Sequence, residues 1–141
     1  MSRYDATQSN ESKRSSKIYQ DLDLDFQINS ATKDIQKLTD VESVKRAVRN
    51  LINTNHYERP FHPEIGSNLR AMLFENMTPQ MTHLIGKQIE LLIANYEPRA
   101  RLVTVRTLPQ FDRNAYAVTI NFQIVNQPEP IVVETLLERL R

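Results

Sequence analysis

Between Asp40 and Asn53 the apolar residues Val41, Val44, Val48, Leu51 and Ile52 recur at the spacing of one helix face, while Glu42, Lys45, Arg46 and Arg49 fall on the other. Thr39 followed by Glu42 has the form of a capping box at its start. A second stripe, Met81, Leu84, Ile85, Ile89, Leu92, Ile93 and Tyr96, follows Thr78-Pro79, a cap residue and a proline suited to the first helical position. It predicts a helix from Pro79 to Asn95, stopped by Pro98. Between the two, Ser67 or Asn68 is placed to cap a short helix carrying Leu69, Met72, Leu73 and Phe74 to the core.

Elsewhere the period is two. Residues Asp21 to Ile28 alternate acid or amide with apolar, which predicts a short edge strand or extended arm with Leu22, Leu24, Phe26 and Ile28 on the core and the acids outward. Arg101 to Leu108 and Ala115 to Val125 predict two strands around a turn at Pro109 to Asn114. In the second, Tyr116, Val118, Ile120, Phe122 and Ile124 alternate with Ala117, Thr119, Asn121 and Gln123, as expected of a sheet covered by helices on one face and wetted on the other. After a turn through Gln127 to Pro130, the run from Ile131 to Leu140 reads as strand or helix. Ile131, Val132 and Val133 favour strand, and Glu134 to Arg139 favour neither. The expected fold class is α+β, a small antiparallel sheet with two main helices packed on one face.

At 141 residues the chain fits one domain, placed at 17–141, after a polar tail over 1–16 expected to be disordered or ordered only by a partner. Lys and Arg number 18 against 17 Asp and Glu, and a net charge of +1 gives no long-range pull on nucleic acid or an acidic membrane. No cysteine is present, which excludes disulfides and thiolate chemistry. Gly66 and Gly86 are the only glycines, too few for a phosphate-cradling loop. No apolar run approaches the ~20 residues of a membrane helix, and the first residues lack a signal-peptide pattern, so a soluble protein of a reducing interior is expected.

Candidate chemistry is sparse. Glycoside hydrolysis needs two carboxyl groups about 5–9.5 Å apart across a cleft, one with a raised pKa. Glu58, Glu64, Glu75, Glu90 and Glu97 are available, yet none has a context of burial opposite a second acid, and Arg99 beside Glu97 would disfavour a general acid there. His56, His62 and His83 match no closed zinc spacing. Asp21, Asp23 and Asp25 stand about 6.6 Å apart along a strand, too regular to converge on one cation. No catalytic residue, cofactor or metal is expected.

What remains is Asn95-Tyr-Glu-Pro-Arg99, at the junction of the long helix and the next strand. Either Glu97 and Arg99 pair and pin helix to sheet, or Arg99 presents its rigid fork to a partner's carboxylate or helix-end carbonyls while Glu97 receives a partner's cation. Pro98 pre-sets the backbone in both readings.

Residues 59–75, Asn76-Met-Thr-Pro79 and Asn95-Tyr-Glu-Pro-Arg99 closely resemble the baseplate wedge family of T4-like contractile-tailed bacteriophages, to which the matching baseplate component of type VI secretion systems also belongs. The likeness covers about residues 18–141. It implies a small α+β protein of the virion tail baseplate, assembled in the host cytoplasm, that joins the wedge core and templates the first ring of tail sheath subunits. By that resemblance Glu97, Pro98 and Arg99 contact the wedge core proteins. Ile131, Val132, Val133, Glu134 and Leu136 lie in the region that accepts sheath strands by β-augmentation. Arg59, Pro60, Phe61, Glu64 and Gly66 form a connector that shapes the fold around the motif. Tail tube or hub proteins are further expected partners; nucleic acid and membrane are not. Many members have a glycine before the Glu-Arg-Pro block where this chain reads Asn55-His56-Tyr57, so that turn is expected to differ or to use Asn in a left-handed conformation. The family has also carried a lysozyme label, so a muramidase-like cell-wall hydrolase is the alternative, with a non-viral adaptor on the same fold as a third reading.

Overall fold

The computed structural model describes residues 19–125 and 127–139, so the expected tail over 1–16 lies outside the described residues. Contacts divide the chain into two compact units, Met1–Asp40 and Val41–Arg141.

In the first, β1 (Gln20–Leu22) runs antiparallel to β2 (Lys37–Thr39), with Gln20 opposite Thr39. The strand expected to reach Ile28 stops at Leu22. Asp25 donates its N–H to Asp23 Oδ1 at 3.1 Å and Phe26 donates to the Asp23 carbonyl at 3.1 Å, a local turn that competes with the ladder. The expected inward face is lost: Leu22, Leu24, Phe26 and Ile28 are exposed, and among the acids Asp23 is buried while Asp21 and Asp25 stay outward.

The second unit holds α1 (Asp40–Asn53), α2 (Leu69–Leu73), α3 (Pro79–Tyr96), β3 (Ala100–Gln110), β4 (Ala115–Ile124) and β5 (Gln127–Glu138). The two long helices occupy the spans their stripes predict. Thr78 caps α3 by accepting the Met81 N–H at 3.1 Å. On α1, Glu42 takes Lys45 Nζ at 2.9 Å instead of reaching back as a capping box would.

The three strands form one antiparallel sheet in the order β3-β4-β5. Ile120 stands opposite Val105 and Val133, and Phe122 opposite Leu102 and Ile131. Tyr116, Val118, Ile120 and Phe122 of β4 are buried with Val44 and Val48 of α1 and Ile85, Ile89 and Ile93 of α3. Each buried aliphatic side chain of this kind contributes roughly 1.5–3 kcal/mol, so these positions fix the layer order. The opposite face of β4, Ala117, Thr119, Asn121 and Gln123, is half-buried.

Three expectations fail here. Leu84 is exposed because the buried ribbon of α3 centres on Ile85, Ile89 and Ile93, and Leu84 is turned about 100° away. Phe74 is also exposed, because it follows the last residue of α2; its ring lies beneath Arg139, with Cζ 5.9 Å from the centroid. The turn expected at Gln127 to Pro130 is instead the start of β5, and the ambiguous run after it is strand to Glu138. Asn114, left-handed at φ 51, closes the β3–β4 connection.

Candidate functional site

Glu97 is the C-cap of α3. Its N–H still donates to the Ile93 carbonyl at 2.9 Å, while φ −127 and ψ 76 turn the chain out of the helix. Ala100 donates back to the Glu97 carbonyl at 3.1 Å, and the Arg99 carbonyl accepts the Val125 N–H at 3.1 Å. The corner is thus stitched to the helix end, to the start of β3 and to the end of β4. Within it, Arg99 Nε meets Glu97 Oε1 at 2.6 Å and Nη2 meets Oε2 at 2.9 Å, a two-pronged grip. Glu97 is 6% exposed and the Arg99 side chain 26%. Of the two readings of the motif, the internal pair is the geometry of the free chain. Glu97 can take a partner's cation only by releasing Arg99, whereas Arg99 keeps a solvent-facing side and Pro98 is exposed.

The connector is braced across its base. Asn55 and Ser67 form a parallel bridge, and Ser67 donates its N–H to the Thr54 carbonyl at 2.9 Å. Gly66, at φ 148, permits this approach: a Cβ there would lie 2.6 Å from the Asn55 carbonyl carbon and oxygen. Asn55 gives its backbone N–H and side-chain amide to the Glu58 carboxylate at 2.9 and 2.7 Å, holding that carboxyl below its ordinary pKa. Glu64 is likewise lowered, first by its own backbone N–H and then by His62 Nδ1 at 3.1 Å. Tyr96 Oη, one residue before Glu97, donates to the Glu64 carbonyl at 2.8 Å.

Gly66 and Glu64 therefore shape the connector through their backbones. Arg59, Pro60 and Phe61 instead turn their side chains to solvent, Phe61 by 96%. The left-handed residues are Tyr57 at φ 69 and Phe61 at φ 72, not Asn55. The sequence carried one signal of this, the missing glycine before Glu58. Bulky aromatics so rarely adopt positive φ that nothing else marked these two positions.

On the sheet, β5 pairs with β4 along one margin, and among the described residues no strand pairs with the other. The side chains of Ile131 and Val133 point into the core and their backbone groups face β4, which leaves neither to a partner, whereas Val132, Glu134 and Leu136 are exposed. Pro130 stands opposite Gln123, and from there the register runs unbroken to Glu138. Proline lacks an N–H, which fits a residue facing the free margin. By the alternation of an antiparallel ladder, Val132, Glu134 and Leu136 then aim their backbone groups outward as well. Near the far end of the strand a cavity of about 300 Å³ is lined by Ile52, Leu69, Leu73, Phe74, Leu136 and Leu137 together with the polar Asn53, Asn55, Arg70 and Glu138.

The described residues thus form a small α+β fold with a pinned acid–base corner and a strand margin left unpaired among them, an arrangement suited to assembly. The sequence model of the family described as baseplate wedge protein gp25 matches residues 39–129. The baseplate wedge protein gp25 of Enterobacteria phage T4 is 34% identical over 115 residues, covering 82% of this chain and 86% of that protein. Among solved structures, a putative tail lysozyme from Geobacter sulfurreducens superposes with a TM-score of 0.65 at 17% identity, over 71% of this chain and 91% of that one. A chain of the anti-feeding prophage baseplate gives 0.61 at 22% identity, over 87% of each. A chain of the postcontracted pyocin R2 baseplate gives 0.55 at 17%, over 85% and 98%. At these identities the structural likenesses establish the fold. The protein belongs to the baseplate wedge protein gp25 family and is a component of a contractile tail baseplate.

Proposed function

We propose that the protein is a structural, non-catalytic wedge component that joins the wedge core through Glu97, Pro98 and Arg99 and offers β5 as the template for the first ring of tail sheath subunits. Residues 17–141 act as one wedge domain. The observation that carries this reading is the margin of β5 (Gln127–Glu138) with which no strand pairs among the described residues. An unpaired strand edge binds an incoming strand through backbone hydrogen bonds, with exposed side chains setting specificity. Val132, Glu134, Leu136 and Glu138 alternate apolar and acidic on the solvated face, so the matching strand carries apolar and basic residues at the same period. The cavity beside Leu136, lined by both apolar and polar residues, receives a side chain of that strand. Tail tube or hub proteins are further neighbours in the same assembly.

At the corner, the exposed side of Arg99 meets a carboxylate or helix-end carbonyl of the wedge core, while Glu97 holds the guanidinium in orientation. The connector carboxyls do not suit the part of a general acid: Glu58 and Glu64 are exposed, and hydrogen bonds from Asn55, and from Glu64's own backbone N–H and His62, hold them below their ordinary pKa. The test is sheath polymerisation seeded with the purified protein. A shortened lag and end-bound seeds are expected; an unchanged lag argues against templating, and turnover of soluble peptidoglycan lost in Glu64→Gln would restore the enzyme reading.

A further inference from the structure

The connector loop spends backbone energy to display two aromatic rings. Tyr57 and Phe61 both lie at φ values that disfavour non-glycine residues, 69 and 72, yet their side chains are 86% and 96% exposed and, beyond an edge-on contact of the Tyr57 ring with His56, gain little from their own domain. The strain is imposed by bracing on both sides. Tyr57 donates its N–H to the Pro63 carbonyl at 3.0 Å, and the Asn55–Ser67 bridge with Gly66 closes the base. Rings held on a braced loop lose little conformational entropy when a partner covers them, and exposed aromatics of this kind are the residue types that dominate interface energetics.

The loop's charge pattern specifies the recipient. Glu58 is engaged by Asn55 and Glu64 by His62, whereas Arg59 has no hydrogen bond or ion pair among the described residues. Two apolar rings around one uncommitted guanidinium fit an apolar cleft with a carboxylate on its rim. Tyr96 joins this loop to the corner: its Oη holds the Glu64 carbonyl at 2.8 Å, and the next residue is Glu97. We infer that Tyr57, Arg59 and Phe61 form a second docking surface that binds the same wedge core chain as Arg99, in an apolar cleft rimmed by a carboxylate. The inference rests on the proposed role of the corner and adds to it an aromatic anchor.

Tyr57→Gly is the decisive variant, because it removes a ring while relieving the left-handed backbone. Affinity for the co-purified wedge core proteins of the same contractile particle is measured by titration calorimetry, with thermal melting in parallel. Tyr57→Gly is expected to melt at or above the wild-type temperature and to bind at least tenfold more weakly. Phe61→Ser and Arg59→Glu are expected to weaken binding by a similar factor, and a photo-crosslinker at position 61 to attach to a wedge core chain. If Arg99→Ala abolishes binding while Tyr57→Gly and Phe61→Ser stay within twofold of wild type, the loop has no part in docking and the role of the corner survives. Wild-type protein that does not bind the wedge core at all overturns both. Crosslinks from position 61 only to a second copy of this chain also overturn the inference, in favour of self-association.

Discussion

Arg99 grips Glu97 with two parallel hydrogen bonds, at 2.6 and 2.9 Å, across a single proline. The pair is a structural clasp and, in the proposed function, also part of the docking motif, and mutation is expected to separate the two roles.

Arg99→Ala leaves the Glu97 carboxylate in a nearly buried position without its fork. The expected cost is about 1–3 kcal/mol, too small to unfold a domain with this core. A folded monomer that fails to enter the wedge is the expected outcome, read by melting temperature together with native-gel assembly. Arg99→Lys keeps the charge but not the fork and should assemble poorly as well. Normal assembly of Arg99→Ala would remove the motif from the docking scheme.

Gly66→Ala sets a methyl group 2.6 Å from the Asn55 carbonyl at a backbone angle that side chains rarely adopt. A loss of at least about 2 kcal/mol is expected, from strain and from separation of the Asn55–Ser67 bridge. Urea unfolding with an unchanged midpoint would contradict this account of the connector.

Proline substitution distinguishes the two margins of β5. Val133→Pro removes a hydrogen bond to β4 and is expected to cost about 3 kcal/mol or more. Glu134→Pro, sharing the hand of Pro130, should fold normally yet fail to seed sheath polymerisation. Circular dichroism and seeding assays on the two variants check the assignment, and equal destabilisation of both would refute the outward facing of even-numbered residues.

Tyr116 is buried on the inner face of the sheet, and its hydroxyl finds no hydrogen-bond partner among the described residues. Burial accordingly pushes its pKa above the ordinary tyrosine value. Tyr116→Phe should raise stability by about 1 kcal/mol, since it deletes an unsatisfied polar atom without changing the packing. A clear loss of stability in thermal melts would mean that the hydroxyl is satisfied in solution.

Much of this architecture was legible in the chain. α1 and α3 combine long apolar stripes with clear ends, a proline on either side of α3 and a threonine cap, so local and tertiary preferences agree. β4 was legible because one face is buried and the other wetted. The Asp21 to Ile28 segment was misleading: alternation suggested a strand, but aspartates also close turns on themselves, and Asp23 does. β5 was ambiguous because Glu134 to Arg139 suits either state, and only pairing with β4 decides it. At the site, the Glu97–Arg99 fork was one of two readings on the page. The displayed rings of Tyr57 and Phe61 were hidden, because their backbone angle is set by cross-bracing from Gly66 and Pro63 and not by their own preference.

The hydrogen bond from Val125 to the Arg99 carbonyl has a mechanical meaning. A pull along β5 loads its antiparallel ladder with β4 in shear, so the tension is shared by many bonds in place of peeling them one at a time. That tension passes through β4 to its end at Val125, one bond from the arginine. Strand margin and acid–base corner are therefore linked in series, so that a load applied at one is carried to the other.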